Sequence, residues 1–247
     1  MAGHNKWKQI KRKKAVTDQR RGAAFTKLIK EITVAAKAGG GDPAGNARLR
    51  TAIDTAKAAN MPADNIDRAI KKGTGELEGV TYHDVTYEGF GPGGAAIFVE
   101  VTTDNATRTV AELRNVFTKN GGTLGAAGTV AWMFDRRGEI RVDASRHAED
   151  AAMEAALDAG AVDFTRDGDQ YVIATEVHDL HAVQEALKKR GITWDSAEIA
   201  MLPKNTVKVQ GGDASRLVRL MESIEEHDDV SKVFSNFDVD EEALAGV

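Results

Sequence analysis

Hydrophobic spacing first changes along this chain at Gly73-Thr74-Gly75, from purely helical to mixed, and that change restricts the fold more than any other feature. Upstream, Phe25, Leu28, Ile29, Ile32 and Ala36 recur every three or four residues. So do Leu49, Ala52, Ile53 and Ala56, and then Ile66, Ala69 and Ile70. Each set makes one apolar stripe along a helix, and each stripe needs another to bury it. Asp18 is placed to cap the first helix and Gly39-Gly40-Gly41 to end it. Asp42-Pro43 opens the second and Met61-Pro62 the third, with Lys71-Lys72 suited to its C-terminal dipole. Residues 18–72 therefore predict a small helical bundle with short connections.

Downstream the period is two. Residues 80–88 and 95–102 read as strands joined through the glycine-rich stretch from Gly89 to Gly94. Asp104 can cap a helix carrying Val110, Leu113 and Phe117, and residues 129–134 read as a strand with Val130, Trp132 and Phe134 on alternate positions. Residues 138–202 then run strand, helix, strand, strand, helix, strand, the ferredoxin-like order. The first of those helices, 148–159, is expected to bury Met153, Ala156 and Leu157. After Pro203 come a strand at 206–209, a helix with Leu217, Leu220, Met221 and Ile224, and a strand at 230–237. The pieces on either side of 138–202 join into a second ferredoxin-like unit, split by the first. The expected fold is thus α+β and multidomain: an N-terminal helical bundle (1–78) plus two ferredoxin-like lobes, the middle one discontinuous (79–136 and 204–240) and the other inserted in it (137–203). The alternative is three units in simple succession. The acidic tail, 238–247, is expected to fray.

Charge is as unevenly distributed as hydrophobic period. Residues 1–72 hold 17 Lys and Arg against 6 Asp and Glu, a net of +11. The whole chain carries −5, so residues 73–247 carry −16. A fold has no need of such segregation, whereas a polyanion-binding surface does, because each cation brought to a phosphate releases a condensed counterion. The candidate nucleic-acid-binding residues are Lys6, Trp7, Lys8, Lys11, Arg12, Lys13, Lys14, Arg20, Arg21, Lys27, Lys30, Arg48 and Arg50. Arg20, Lys27, Lys30 and Lys37 lie opposite the apolar stripe of the first helix, where they would face solvent or phosphate. Trp7 either stacks on a base or docks the arm onto the bundle.

Signs of catalysis are missing. The chain has no cysteine, which excludes disulfides, thiol catalysis and Cys-ligated metals. The Gly89–Gly94 stretch leads into a strand, with no helix N-terminus to receive a phosphate, so a tight hairpin is the stronger reading and a nucleotide site the weaker. Tyr87 and Phe90 beside it could offer a stacking surface. His178 and His181 fit exposed helix-start positions better than a metal site, and Glu225-Glu226-His227-Asp228-Asp229 reads as a solvated turn with at most weak cation affinity. We expect no enzyme activity and no cofactor. No run of about 18 apolar residues occurs and the N-terminus has no apolar h-region, so cytoplasmic residence is the expectation.

Several stretches closely resemble the YebC/PmpR family. They are Met1-Ala2-Gly3-His4, Lys6-Trp7, Ile10-Lys11, the run from Phe25 to Ile32, Gly39–Pro43, Asn60-Met61-Pro62, Asn65-Ile66, Arg68–Gly75, Tyr87–Gly94 and Thr103-Asp104-Asn105. The resemblance runs essentially full length and implies a helical domain followed by two α+β domains, one inserted in the other. It also implies a bacterial regulator of transcription that binds DNA, in a family that includes a mitochondrial translational activator and members linked to the ribosome. Asn5 stands where the family commonly has Ser. Ala106-Thr107 stands where a basic residue and Asn are common, which removes a phosphate contact from the middle lobe. Physical reasoning and resemblance together give a non-enzymatic nucleic-acid-binding regulator of gene expression. DNA is the first target and ribosomal or transfer RNA, in translation, the alternative; the acidic lobes are left for protein partners.

Overall fold

A computed structural model describes residues 18–239, with side chains from Ala24 onward. The first three elements are helices: α1 (Asp18–Gly39), α2 (Ala47–Ala58) and α3 (Ala63–Thr74). Their stripes meet as the sequence requires. Ile32, Ala35, Ala36, Leu49, Ala52, Ile53, Ala56, Met61, Ile66 and Ala69 form one buried cluster. Two small features set how closely these helices approach. A Cβ on Gly73 would lie 2.4 Å from the Thr33 carbonyl oxygen and 2.7 Å from the Ala36 Cβ, so α3 crosses α1 at a point only glycine fits. Asn46 is buried at the α1–α2 corner. Its amide donates to the carbonyls of Ala35 (2.8 Å) and Gly40 (2.9 Å) while its side-chain oxygen accepts from the Leu49 N–H (3.0 Å), capping α2. The second helix thus starts at Ala47, not at Pro43, which lies in a turn where Asp42 accepts from the Ala44 N–H.

The middle lobe holds β1 (His83–Phe90), β2 (Ala96–Thr103), α4 (Ala106–Lys119) and the short β3 (Thr123–Leu124). The chain then crosses into the inserted lobe: β4 (Phe134–Asp143), α5 (Glu149–Asp158), β5 (Asp163–Asp167), β6 (Gln170–Thr175), α6 (Leu180–Lys189) and β7 (Ser196–Pro203). It returns through β8 (Val207–Lys208), α7 (Gly211–Glu225), β9 (Val230–Ser235) and β10 (Phe237–Asp238). The inserted sheet has order β5-β6-β4-β7, antiparallel throughout, which is the ferredoxin-like arrangement. The middle sheet has order β3-β1-β2-β9, so strands from both sides of the insertion lie in one sheet.

Three local readings change. Residues 129–134 are not a strand of the middle sheet: Ala131–Met133 form a 3₁₀ turn, and Phe134 already begins β4 of the inserted sheet. The place of that strand is taken by β1 and β3, while β8 pairs in parallel with β10 outside the main sheet. In α5 the buried residues are Ala152, Ala155 and Ala156, whereas Met153 and Leu157 are exposed, because the small alanines let α5 sit close on its sheet. Asn105, not Asp104, caps α4, accepting from the Arg108 N–H.

The two faces of the middle sheet are used differently. Ile97, Val99 and Val101 pack beneath α4 and α7 with Leu113, Phe117, Leu217, Leu220, Met221 and Ile224. On the opposite face Ala96, Phe98 and Phe234 meet Phe134, Ala200 and Met201, so the inserted lobe shares a core with the middle one. Lys232 on β9 secures this joint, bonding the Ile199 carbonyl (2.9 Å) and the Glu198 carboxylate (2.7 Å) on β7. Among the described residues no helix is long and apolar enough to cross a membrane.

Candidate nucleic-acid interface

The thirteen candidate contacts fall into two groups. Lys6, Trp7, Lys8, Lys11, Arg12, Lys13 and Lys14 lie outside the described residues, and the side chains of Arg20 and Arg21, on the first turns of α1, do as well. Lys27, Lys30, Arg48 and Arg50 can be placed.

Three of these four are held by the protein itself. Lys30 is buried, contrary to the solvent-facing stripe expected of α1. Its ammonium lies 2.7 Å from an Asp229 carboxylate oxygen and 3.0 Å from the Asp228 carbonyl, 5.6 Å from the Tyr82 ring centre. One turn earlier, Lys27 donates to the carbonyl of Glu225 at the end of α7. Lys27 thus reaches the negative end of the α7 dipole. Arg48 on α2 bridges Glu31 on α1 (2.8 Å) and Asp84 on β1 (2.7 Å), a second tie between bundle and middle lobe.

Asp229 is the centre of this joint. One carboxylate oxygen takes Lys30; the other accepts from Arg108 (2.7 Å), Thr109 (2.7 Å) and Thr103 (3.2 Å). Burial alone would push its pKa up, but the bonds from Lys30, Arg108 and Thr109 outweigh that and hold it far below the ordinary carboxylate range. The 225–229 segment is therefore an interdomain knot at its last residue, not the solvated turn its charge suggests. Among the described residues Glu112, His227 and Asp229 lie close enough together to hold a cation, whereas His178 and His181 do not form such a group. The His227 Nδ1 accepts from the Asp229 N–H (3.1 Å) and its Nε2 donates to Glu112 (2.9 Å), so both ring nitrogens are already engaged. A cleft lined by Thr26, Tyr82, Asn115 and Glu226 opens beside this knot.

Arg50 remains, half-buried on α2, and other cations that sequence reasoning passed over stand with it. Lys57 on α2 and Arg68, Lys71 and Lys72 on α3 are exposed, and among the described residues none of these five forms an ion pair. Arg68, Lys71 and Lys72 share the side of α3 opposite Ile66 and Ala69, by helical spacing. The Gly89–Gly94 stretch is structural. Gly89 and Phe90 complete β1, Pro92–Gly94 make a single turn, and the Gly91 N–H bonds the Ala95 carbonyl (2.8 Å). Tyr87 and Phe90 are half-buried against core clusters, and the Tyr87 hydroxyl donates to the Ala106 carbonyl.

Comparison with known proteins agrees with this architecture. Residues 5–76 match the TACO1/YebC protein N-terminal domain, and residues 82–237 match the TACO1/YebC second and third domain. A "probable transcriptional regulatory protein" of Gemmatimonas aurantiaca is 58% identical over 245 residues, 99% of each chain. One of Chlorobium luteolum is 52% identical over 245 residues, 99% of this chain and 98% of its own. The crystal structure of a conserved hypothetical protein from Aquifex aeolicus superposes with a TM-score of 0.83 at 46% identity, covering 90% of this chain and 92% of that one. With both segments matched and relatives this similar over their full length, the chain belongs to the TACO1/YebC family.

Proposed function

We propose that this chain is a non-enzymatic, nucleic-acid-binding regulator of gene expression whose direct target is DNA, acting in the cytoplasm through its basic head. The observation that carries this reading is the charge segregation: +11 in residues 1–72 against −16 in the remainder. Lys27, Lys30 and Arg48 anchor the bundle to the middle lobe. The arm (Lys6, Lys8, Lys11, Arg12, Lys13, Lys14), Arg20, Arg21 and Arg50 are then left for phosphate, joined by Lys57, Arg68, Lys71 and Lys72. The relatives' names, which speak of transcriptional regulation, favour DNA. The three working units are the bundle (1–78), the middle lobe (79–136 with 204–240) and the inserted lobe (137–203), the last two offering acidic surface to protein partners.

One feature favours a second reading, as an RNA-associated translation factor. The outward side of α3 bears Arg68, Lys71 and Lys72, cations that hold the phosphates of an RNA as well as those of DNA. Two experiments test the proposal. Replacing Lys11, Arg12, Lys13 and Lys14 together with Ala is expected to weaken binding. The same change should flatten its salt dependence by about one log–log unit for each phosphate left without a cation. Unchanged affinity and slope would remove the arm from the interface. Crosslinking in cells, with DNA and RNA recovered from one sample, is expected to enrich a few promoters. Crosslinks concentrated in ribosomal or transfer RNA would instead establish the translation reading.

A further inference from the structure

Trp132 is the most exposed large apolar side chain among the described residues, at 64%, and its surroundings hold it there. Its neighbours Val130 and Phe134 are both buried in the core shared by the middle and inserted lobes. The intervening 3₁₀ turn, Ala131–Met133, therefore carries Trp132 outward at the seam between the lobes. The indole N–H donates to the Thr129 carbonyl (3.1 Å), which fixes the ring's orientation.

The loop beneath is built with unusual investment for a surface segment. Glu88 on β1 is buried, and its carboxylate accepts from the backbone N–H groups of Gly128 (2.7 Å), Val130 (2.7 Å) and Ala131 (2.8 Å). Burial alone would raise the Glu88 pKa; the three backbone bonds overcome that and lower it, so the group is an anion at neutral pH. The Glu88 carbonyl binds the Gly125 N–H (2.8 Å), and Thr129 closes the turn onto the Ala126 carbonyl through its N–H (3.2 Å) and hydroxyl (2.6 Å). A buried carboxylate thus rigidifies a loop whose outward product is one tryptophan. The other residues of the loop, Ala126, Ala127 and Thr129, are small, and nothing lies within 4 Å of where a Gly128 Cβ would be. Lys204, whose N–H bonds the Met133 carbonyl (2.9 Å), places an exposed ammonium on the adjoining strand end, 3.4 Å from the equally exposed Asp135 carboxylate, a solvent-screened pair that costs little to open.

We propose that Trp132 is a stacking platform for an unpaired nucleobase, with Lys204 exchanging Asp135 for the neighbouring phosphate. A rigid, isolated indole suits single-stranded nucleic acid, because every base offers a π-face and a preformed ring loses little entropy on stacking. A duplex keeps its bases stacked internally and cannot use such a site. A protein partner would call for contiguous apolar surface, and the other exposed apolar residues, Leu77, Val80, Met153, Leu157 and Val162, lie on other elements.

The inference rests on the nucleic-acid reading above and deepens it. The test measures binding of the full chain to a fluorescein-labelled oligouridylate, an oligothymidylate and a DNA duplex, each of about 20 nucleotides or base pairs. Trp132→Ala is expected to weaken binding to both single strands by about 5- to 150-fold while leaving duplex affinity and every salt slope unchanged. Trp132→Phe is expected to recover most of the loss. Glu88→Gln, which keeps the side chain's shape but loosens the loop, is expected to show the same selective loss with circular dichroism intact. Equal single-strand affinity in Trp132→Ala and the parent, or equal losses on duplex and single strands, would overturn the platform and leave the basic head untouched. A parent chain that binds none of the three probes would overturn both proposals.

Discussion

Replacing Asp229 with Ala removes the acceptor on which the joint between helical bundle and middle lobe converges. In the protein its side chain is 4% exposed and that of Lys30 is 10% exposed, so the lysine cannot replace its missing partner with bulk water. Arg108, Thr109 and Thr103 are deprived of their shared acceptor at the same time. Breaking one side of a buried ion pair costs about 3–5 kcal/mol, most of it the penalty of an uncompensated charge. For a chain of this size each kcal/mol shifts Tm by about 2–4 °C, which gives an expected fall of about 6–20 °C. Scanning calorimetry reads this directly. Asp228→Ala is the control, because that side chain is exposed and only its carbonyl serves Lys30; its cost is expected to be below about 0.5 kcal/mol. Adding Lys30→Met to Asp229→Ala removes the stranded ammonium, and is expected to return much of the loss. The sign with pH follows from the depressed carboxyl. Its stabilisation is fully present above the unfolded value near 4 and is lost as pH falls below it toward the folded one, so the difference between parent and variant shrinks in acid. An Asp229→Ala chain melting within about 2 °C of Asp228→Ala at neutral pH would refute the reasoning.

Two further outcomes are expected. Gly73→Ala should destabilise the bundle by about 1–3 kcal/mol although Ala is the better helix former, because its Cβ would meet the Thr33 carbonyl; a net stabilisation on thermal melting would show that α1 and α3 can separate cheaply. Glu100 faces Lys232 across β2 and β9, and its carboxyl is held above its ordinary value, first by burial and further by Glu31 and Asp84, against the pull of Lys232 and Arg136. Ionising it therefore costs stability at neutral pH, so Glu100→Gln should raise Tm near pH 7 and lose that advantage in acid; a Tm lowered at pH 7 would mean that the pair with Lys232 outweighs burial.

What the sequence by itself determined is the class of most segments and the uneven placing of charge along the chain. Stripes such as Leu49, Ala52, Ile53 and Ala56 lie within one helix, and alternation such as Ile97, Val99 and Val101 within one strand, so both are local and visible in the chain. The ferredoxin-like order of the inserted unit followed from element succession alone, whereas the middle sheet takes β1 and β3 in place of the strands that succession offered it. Tertiary structure decided which charges are free. Lys30 and Asp229 are 199 residues apart, and nothing near either announces that one is the other's buried partner. The same holds for Glu88, whose carboxylate meets the backbone of residues about 40 positions onward, and hence for Trp132, which the alternation of Val130, Trp132 and Phe134 places in a strand. Local periodicity reports which face of an element is apolar. Pairing between charged groups depends on which elements the closed fold brings within about 3 Å, where desolvation makes one partner indispensable to the other.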